Sequence, residues 1–425
     1  MSSGMLAFGC NFVLSLIALP LYLHFLGYER YGIWLVLTTV MSFAQLGNFG
    51  IGSAVAKYVA EYYAKGDMKS IRCYVTTAVY SLTFSGLLIF LMILAFRQQI
   101  VSAFKLSGDY SILVLQLLPY VGMLTIYVFV VKIVETTLSG LNRMDLASYF
   151  RLVGRGIALI VSAILLYRGM GVKSLLIATF ISETTSQMLF LHTIRSLIPV
   201  SFFDARYVDK ASFKRLLAFG AGVMGGSTFE MLVSPLNKLI ISRYIGVGAI
   251  PIFDIAYNVA MNIRGIAASG LGALTPEVSR LSALSKSDAE RIPHIYRKTI
   301  KIILFVGMPS FLVVFALATP LLQIWLRARF NAELPTMLRI MLVGAFLNLY
   351  AIPSYYVLMG RGRTDKLFFF NIVKSGVNVL VLSILLVTVS TLSITAVGWA
   401  TVMGMGCSTI YLLRQNQKVT MAVAK

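Results

Sequence analysis

Ionisable residues inside long apolar stretches are the residues of this sequence best placed to do chemistry. An ionisable side chain at the centre of a bilayer costs about 2.5–3.5 kcal/mol on insertion scales, so such a residue pairs with another or serves a function. Arginine suits phosphate groups in particular, because its planar guanidinium donates hydrogen bonds in pairs. The residues concerned are Lys132, Glu135, Glu183, Glu230, Lys238, Asp254, Arg264 and Lys374.

The spacing of four of these residues around Gly246 predicts two acid–base pairs. Residues equally far from the turn of a helical hairpin lie at equal depth, because each residue advances a helix by about 1.5 Å. Lys238 and Asp254 each lie eight residues from Gly246. Glu230 lies sixteen residues before it and Arg264 eighteen after it. Two compatible interpretations follow: each pair neutralises itself, and all four line a binding cavity in which an entering anion displaces Glu230 from Arg264. In that cavity Arg264 binds a phosphate group, and Glu230 positions it or accepts a proton.

A second predicted hairpin, turning near Arg143, brings three bases to one acid. Glu135 and Arg151 each lie eight residues from the turn, and Lys132 and Arg155 lie eleven and twelve residues away. Long basic side chains commonly extend to the membrane surface, which is one interpretation of this cluster. The other is that it gathers an anionic headgroup, and we therefore include Lys132, Arg151 and Arg155 among the candidate cavity residues.

The remaining charged candidates have simpler interpretations. Lys57 and Glu61 lie four residues apart and predict a pair on a helix surface, although Lys57 is also a candidate for the cavity. Glu183 and Lys374 stand isolated in their apolar stretches, so we expect packing or polar-network roles for both. The cysteines and histidines form no metal-binding pattern, and we expect neither a metal nor another cofactor.

The apolar stretches have the composition of a multi-spanning membrane protein. Of 425 residues, 58% are hydrophobic and 12% are charged, against roughly 45–50% and about 25% in soluble domains. A helix crosses a bilayer with about 20 consecutive apolar residues, and we expect the first apolar run, residues 5–25, to be an uncleaved span. The sequence predicts an all-α integral membrane protein with twelve transmembrane helices, at residues 5–26, 31–62, 73–96, 112–140, 144–167, 173–196, 213–244, 249–282, 295–320, 332–358, 367–390 and 392–413.

The distribution of basic residues predicts the orientation in the membrane. An even number of spans places both termini on one side, and most of the 37 Lys and Arg residues fall on that side. Because basic loops stay in the cytoplasm, we expect both termini to be cytoplasmic. The net charge of +21 then reflects topology and a secondary attraction to anionic lipids, and we expect no nucleic-acid partner.

An internal repeat divides the chain into two halves. Residues 25–34 resemble residues 244–253 at an offset of 219, and residues 50–54 resemble residues 270–274 at an offset of 220. Each half holds six predicted spans, so the halves are parallel repeats, which in transporters enclose a substrate site near the membrane midplane. The predicted organisation is an N-lobe at 1–197, a cytoplasmic linker at 198–212 and a C-lobe at 213–425.

Motifs in both halves carry a resemblance to a known family. The first half reads Leu26-Gly27-x3-Tyr31-Gly32-Ile33-Trp34, then Leu46-Gly47-Asn48-Phe49-Gly50-Ile51-Gly52-Ser53-Ala54 and Tyr58-Val59-Ala60-Glu61. The second half reads Ile241-Ser242-Arg243-Tyr244-Ile245-Gly246, then Leu274-Thr275-Pro276 and Ser279-Arg280-Leu281. With these motifs the chain resembles the polysaccharide-biosynthesis flippases, including O-antigen flippases, of the multidrug/oligosaccharidyl-lipid/polysaccharide exporter superfamily.

This resemblance implies both a fold and a function. The fold would be a V-shaped transporter whose central cavity is lined by the first two helices of each half. The substrate would be an O-antigen or capsular oligosaccharide on a polyprenyl pyrophosphate carrier. It would move from the inner to the outer leaflet of the bacterial inner membrane by alternating access. The sugar repeat unit, coupling to a cation and the oligomeric state stay open.

Two other functions fit the sequence less well than this one. A cation-coupled drug exporter of the same superfamily also has twelve helices, but an acidic cavity suits its cationic substrates, whereas the basic cluster here favours an anion. A membrane polysaccharide polymerase would be an enzyme and would need a long extramembrane loop or domain with positioned acids. The predicted loops are short, so we expect a transporter and not an enzyme.

Overall fold

Helices are the only regular structure in the residues that the computed structural model describes, which are 2–198, 204–269, 271, 274–284, 291–389 and 391–423. A helix satisfies its backbone hydrogen bonds within its own segment, as the water-free interior of a bilayer requires. Nine described helices are long and apolar enough to cross a membrane, or ten if the two parts of the helix at Lys210–Tyr244 form one span. The chain is therefore an all-helical integral membrane protein.

The chain divides into two compact units, Met1–Thr228 and Phe229–Lys425. The helices of the first unit are α1 (Ser2–Ala44), α2 (Ile51–Ala64), α3 (Met68–Ala95), α4 (Arg97–Ala103), α5 (Gly108–Gly140), α6 (Met144–Tyr167) and α7 (Lys173–Leu197). The division falls within α8 (Lys210–Tyr244). The second unit continues with α9 (Ile250–Ser269), α10 (Leu274–Leu284), α11 (Ile292–Ile302), α12 (Met308–Ala316), α13 (Ala318–Leu326), α14 (Glu333–Gly360), α15 (Thr364–Thr388) and α16 (Ile394–Val423).

Several helix boundaries differ from the predicted ones. The predicted break between helices 5–26 and 31–62 lies at Gly27 (φ 68°, ψ 178°), a non-helical residue at the kink between the two helical parts of α1. The predicted helix 31–62 is itself interrupted, because the second part of α1 ends at Ala44 and α2 begins after Phe49 and Gly50. Positive φ values at Phe49 (48°) and Gly50 (69°) end the helical path there. By contrast α6, α7, α14 and α15 begin and end within three residues of the predicted positions. The count of twelve spans and the lobe boundary stay predictions.

Helix α5 occupies the centre of the first unit and contacts α2, α3 and α7. Its side chains Phe129, Ile133 and Leu138 are fully buried and join a cluster that includes Leu82 of α3 and Val55 of α2. Lipid tails are as apolar as these side chains, so close packing rather than escape from water holds such helices together. In the second unit α14 has the corresponding central place, against α9, α10 and α16.

The described part of the linker, from residue 204, is held against α3 in the first unit. Arg72 Nη1 donates to the Tyr207 hydroxyl (2.9 Å), and the Asp209 backbone N–H donates to Thr77 Oγ1 (3.1 Å). The Asp209 carboxylate then accepts from the backbone N–H and the hydroxyl of Ser212 in the first turn of α8, both at 2.8 Å. These hydrogen bonds lower the pKa of the Asp209 carboxyl. Predicted linker residues 199–203 lie outside the described residues.

The two units repeat one close approach between helices. Gly140 ends α5, and a Cβ atom on it would lie 2.8 Å from the backbone oxygen of Ala56 in α2. Gly360 ends α14, and a Cβ atom on it would lie 2.9 Å from the backbone oxygen of Thr275 in α10. The two glycines are 220 residues apart and their neighbours 219, the offsets at which the sequence repeats.

The turn that follows each of these glycines is also repeated. Arg143 pairs with Asp145 at 3.6 Å in the first unit, and Arg363 pairs with Asp365 at 3.2 Å in the second. The residue before each arginine has a positive φ, of 61° and 69° respectively. Both turns therefore share a backbone conformation and an ion pair, at an offset of 220 residues.

Filling either close approach is expected to destabilise the protein. We expect Gly140→Ala and Gly360→Ala each to lower stability by about 1–3 kcal/mol, the usual cost of overpacking, because the added methyl group meets a backbone oxygen. The measurement is the thermal unfolding midpoint in detergent micelles. Gly156→Ala and Gly376→Ala are matched controls, since a Cβ atom at either position meets no atom within 4 Å. Equal midpoints in all four variants would contradict the close approaches.

Candidate functional site

A polar cavity in the second unit contains two of the residues singled out from the sequence. It has a volume of about 370 Å³ and is formed by α8, α9, α14 and α15. Glu230 of α8 and Arg264 of α9 contribute charge, and the rest of the wall is largely aromatic and apolar. The lining residues are Glu230, Arg264, Ala268, Asn348, Ala351, Ile352, Tyr355, Tyr356 and Phe370.

Glu230 pairs with Lys374 of α15, at 2.8 Å between Oε1 and Nζ, and not with Arg264 as expected. Lys374 is 4% exposed, whereas about half of the Glu230 side chain stays accessible on the cavity side. The Ser375 hydroxyl donates to the backbone oxygen of Phe229 (2.5 Å), which fixes α15 beside α8 at the same level. Lys374, expected to be isolated, is therefore the direct partner of a cavity residue.

This pairing leaves the guanidinium of Arg264 without a full set of partners. Its Nε is buried and has no hydrogen-bonding partner among the described residues. A buried polar group without a partner costs about 1–3 kcal/mol, so the guanidinium beside the cavity keeps an unmet demand for an acceptor. Because Lys374 neutralises Glu230, the three charges leave one net positive charge at the cavity.

Aromatic side chains form the wall beside these charges. The rings of Tyr355 and Tyr356 meet edge to face with centroids 5.9 Å apart, and Tyr355 meets Phe370 at 6.2 Å. Asn348, 4% exposed, adds an amide group to the lining. The cavity therefore combines one unneutralised cation with hydrogen-bonding groups and flat apolar surfaces.

The second predicted pair, Lys238 with Asp254, is confirmed. The Lys238 ammonium lies 2.5 Å from Asp254 Oδ1, with 13% and 8% of the two side chains exposed. Neither residue is among those that line the cavity. The pair joins α8 to α9, which carry Glu230 and Arg264, and so helps to fix the helices that present the cavity charges.

The cluster predicted near Arg143 forms around Glu135 in the first unit. Glu135 is 8% exposed and accepts from Lys132 Nζ at 3.0 Å and from Arg151 Nη1 at 2.7 Å. Lys132 and Arg151 keep 42% and 49% of their side-chain surfaces exposed, so both remain accessible to an anion. The equal depth of Glu135 and Arg151 was predictable from their spacing.

Two further residues complete this cluster. Arg155 Nη1 donates to Asn11 Oδ1 of α1 at 2.9 Å, which places it beside an amide group instead of a carboxylate. Glu183 of α7, expected to be isolated, lies close enough to Lys132 and Arg155 to interact with both electrostatically. Spacing did not predict this proximity, because α7 is not part of the hairpin and the distance of Glu183 from the turn therefore does not give its depth.

Lys57 forms cation–π contacts and not the expected pair with Glu61. Its ammonium lies 4.6 Å from the centroid of the Tyr58 ring and 4.4 Å from that of Phe219. Glu61 pairs with Lys65 instead, at 2.7 Å. A glutamate four residues before a lysine is more favourable on a helix than the reverse order, and this preference explains the choice of Lys65.

Comparison with known proteins gives both relatives and structural neighbours. A protein described as an O-antigen transporter of Salmonella typhi is 23% identical over 273 residues, which are 59% of this chain and 56% of that protein. Another so described, from Shigella flexneri, is 19% identical over 80% of this chain and 79% of that protein. The lipopolysaccharide biosynthesis protein WzxC of Escherichia coli is 24% identical over 39% of this chain and 33% of its own length. The chain thus spans about half of the first relative and a third of the last.

Solved structures with the same fold include a multidrug-resistance transporter and a lipid II flippase. An inward-facing multidrug-resistance MATE transporter of the MOP superfamily aligns with a TM-score of 0.78 at 16% identity, covering 99% of this chain and 95% of that one. The lipid II flippase MurJ in an inward closed conformation also aligns with a TM-score of 0.78 at 16% identity, covering 98% and 89%. These similarities show the fold alone.

A family model decides the affiliation. The model described as "Polysaccharide biosynthesis protein" matches residues 24–335. That range contains the motifs of both halves as well as Glu230 and Arg264. It covers well over half of the chain, and the resemblance predicted from the sequence is confirmed. The chain belongs to the polysaccharide biosynthesis protein family.

Proposed function

We propose that this protein is a flippase that moves an oligosaccharide linked to polyprenyl pyrophosphate from the inner to the outer leaflet by alternating access. The observation that carries the proposal is the cavity of the second unit, where the buried Nε of Arg264 lacks a partner and Glu230 is neutralised by Lys374. Such a cavity suits an anion. The relatives described as O-antigen transporters and a lipopolysaccharide biosynthesis protein supply the substrate class.

Within this proposal the pyrophosphate binds Arg264. A guanidinium donates two parallel hydrogen bonds to phosphate oxygens, and Lys374 keeps the Glu230 carboxylate from competing for it. The aromatic wall offers flat surfaces to the sugar rings or the lipid. On the cytoplasmic side Lys57, Lys132, Arg151 and Arg155 gather the headgroup before it enters, assisted by anionic lipids.

The architecture proposed for this activity has twelve helices in two parallel repeats. The repeated turns at Arg143 and Arg363 support it. So does the recurrence of the positive φ of Gly27 (68°) at Gly246 (133°), 219 residues later. The non-helical residue Gly27 divides α1 into two helical parts, and the first, residues 2–26, is about 37 Å long at 1.5 Å per residue, enough for one span, so α1 contributes to two spans. The proposed site of action is the bacterial inner membrane, with both termini in the cytoplasm.

A cation exporter of the same fold is less well supported. The MATE and MurJ structures align equally well, so the fold does not separate drug export from lipid transport. A cationic drug would need an acid that is not already neutralised, but Glu230, the acid among the described lining residues of the cavity, is paired with Lys374. The sign of the cavity charge therefore favours a pyrophosphate-bearing substrate. The relatives, which are described as transporters, give no support to a polymerase.

Transport in proteoliposomes tests the proposal directly. We expect labelled polyprenyl-pyrophosphate oligosaccharide to cross the bilayer only when the protein is present. Uptake of an organic cation, measured alongside in the same vesicles, should stay at the level of protein-free vesicles. Cation uptake without lipid movement would show that the protein is a cation exporter and not a flippase.

Removing the cavity guanidinium should stop transport. We expect Arg264→Ala to lower the transport rate about 10- to 150-fold, the range for losing about 1.5–3 kcal/mol of hydrogen bonding to a charged group. Arg264→Lys keeps the charge but loses the paired donors, so part of the rate should remain. Arg206→Ala is the control, because Arg206 is 88% exposed in the linker. Full activity of a well-inserted Arg264→Ala protein would remove this residue from the site.

Lys374, the partner of Glu230, should control the net charge of the cavity. Lys374→Met frees the Glu230 carboxylate to pair with Arg264, so we expect slower transport of the lipid-linked oligosaccharide. Glu230→Gln combined with Lys374→Met restores one net positive charge and should recover most of the rate. The measurement is the same proteoliposome assay, with correct insertion verified by size-exclusion chromatography. If the Lys374→Met protein transports as fast as the parent, the ion pair does not affect the transport rate.

A further inference from the structure

A second cavity lies in the first unit, where several helix ends meet. It has a volume of about 760 Å³, within the range of about 300–1,000 Å³ usual for small-molecule sites. Its polar side chains come from three helices: Arg30 from α1, Asp109, Tyr110 and Gln116 from α5, and Lys173 from α7. None of these residues belongs to the charge clusters described above.

All the helix ends around this cavity face the same side of the membrane. Helices α5 and α7 begin there, at Gly108 and Lys173, and α6 ends there at Tyr167. The opposite ends of α5 and α6 meet at the turn that contains Arg143, which the proposed orientation places in the cytoplasm. On the same orientation the cavity opens at the outer face.

The cavity offers hydrogen-bond donors and acceptors in similar measure. Arg30 and Lys173 donate, the Asp109 carboxylate accepts, and the Gln116 amide does both. The first turn of α5 adds backbone N–H groups, because that helix has no side-chain cap. The Tyr110 hydroxyl donates to Glu29 Oε2, which fixes the ring at the margin. Sugar hydroxyls both donate and accept, so this mixture suits them.

Other ligand classes suit the cavity less well. A lone phosphate would lie beside the Asp109 carboxylate, and the like charges would repel. A purely apolar ligand would bury Arg30 and Lys173 without partners. The backbone is accessible as well, since a Cβ atom on Gly108, Gly169 or Gly171 would meet no atom within 4 Å. Ile112, Leu113 and Met170 give the lining apolar surface for the carbon face of a sugar ring.

We propose that this cavity is a saccharide-binding site that holds sugar residues of the transported oligosaccharide at the outer face. The proposal rests on the proposed function and orientation, and it adds a second site to the Arg264 cavity. Binding there retains the sugar outside while the lipid carrier moves, and it favours the conformation in which the cavity is accessible. Sugar recognition is thereby separated from pyrophosphate recognition.

Cysteine protection in intact cells tests both the ligand and the side of the membrane. Met170 lines the cavity with 40% of its surface exposed, so Met170→Cys is introduced after replacing Cys10, Cys73 and Cys407. The probe is the oligosaccharide released by mild acid from the host cell's own lipid-linked intermediate, and the reagent is a membrane-impermeant maleimide. We expect labelling from outside, slowed by this oligosaccharide but not by sucrose at equal concentration.

Substitutions in the cavity should weaken the protection. We expect Asp109→Asn with Gln116→Leu to raise the oligosaccharide concentration for half-protection about tenfold, as expected for losing hydrogen bonds to a charged group and an amide. Gln99→Leu is the matched control, an exposed glutamine of α4 outside the cavity. Unchanged protection in the double variant would overturn the assignment.

Three other results would also overturn it: labelling only after the cells are made permeable, equal labelling rates with and without the oligosaccharide, or equal protection by sucrose. Failure of the proposed function gives a different pattern. In that case the parent protein moves no lipid-linked oligosaccharide in proteoliposomes, whether or not the free oligosaccharide protects Met170→Cys. The failure of one proposal can therefore be distinguished from the failure of the other.

Discussion

A charge inside a bilayer must find its counter-charge within the protein, and the candidate sites of this molecule follow from that constraint. Asp254 is satisfied by Lys238, and Glu135 by Lys132 and Arg151. These pairs fix helices to one another, since breaking one would leave a charge without a partner in a medium that does not solvate it. The same constraint makes an incompletely satisfied group conspicuous. Among the buried side-chain atoms without a partner in the described residues of the second unit, the one that belongs to a charged group is Arg264 Nε, and the carboxylate among the described lining residues of its cavity is already neutralised.

Depth along a helical hairpin was enough to predict some of these pairs and not others. The rule that residues equally far from a hairpin turn lie at equal depth paired Lys238 with Asp254 and placed Glu135 level with Arg151. It worked in both cases because the partners lie on adjacent helices joined by a short turn. It was wrong for Glu230, whose partner Lys374 is 144 residues away. Distance from a turn gives the level of a residue but not the direction in which it points. A helix from elsewhere in the chain can therefore supply the nearer partner.

The repeat was visible in the sequence only in part. Matching glycines near residues 27 and 246 gave the offset, and the local structure at that offset agrees, with positive φ at both positions. The pattern Gly-x-x-Arg-x-Asp at 140–145 and again at 360–365 was equally present in the sequence. It was overlooked because its residues look like ordinary polar loop residues until their backbone conformation is known. The Gly-x-Gly motif at 270–272 lies largely outside the described residues. The cavity lined by Arg30, Asp109 and Lys173 depends on three helix ends that no single stretch of sequence brings together.

The ion pair between Glu230 and Lys374 has a consequence for the history of such proteins. Its two codons lie far apart in the gene, and a substitution at either one alone changes the net charge of the cavity. Under the proposed function, a change of this chain from anionic to cationic cargo would therefore pass through a variant with a mismatched cavity charge, unless both substitutions arose together. The pair thus opposes a stepwise change of cargo charge.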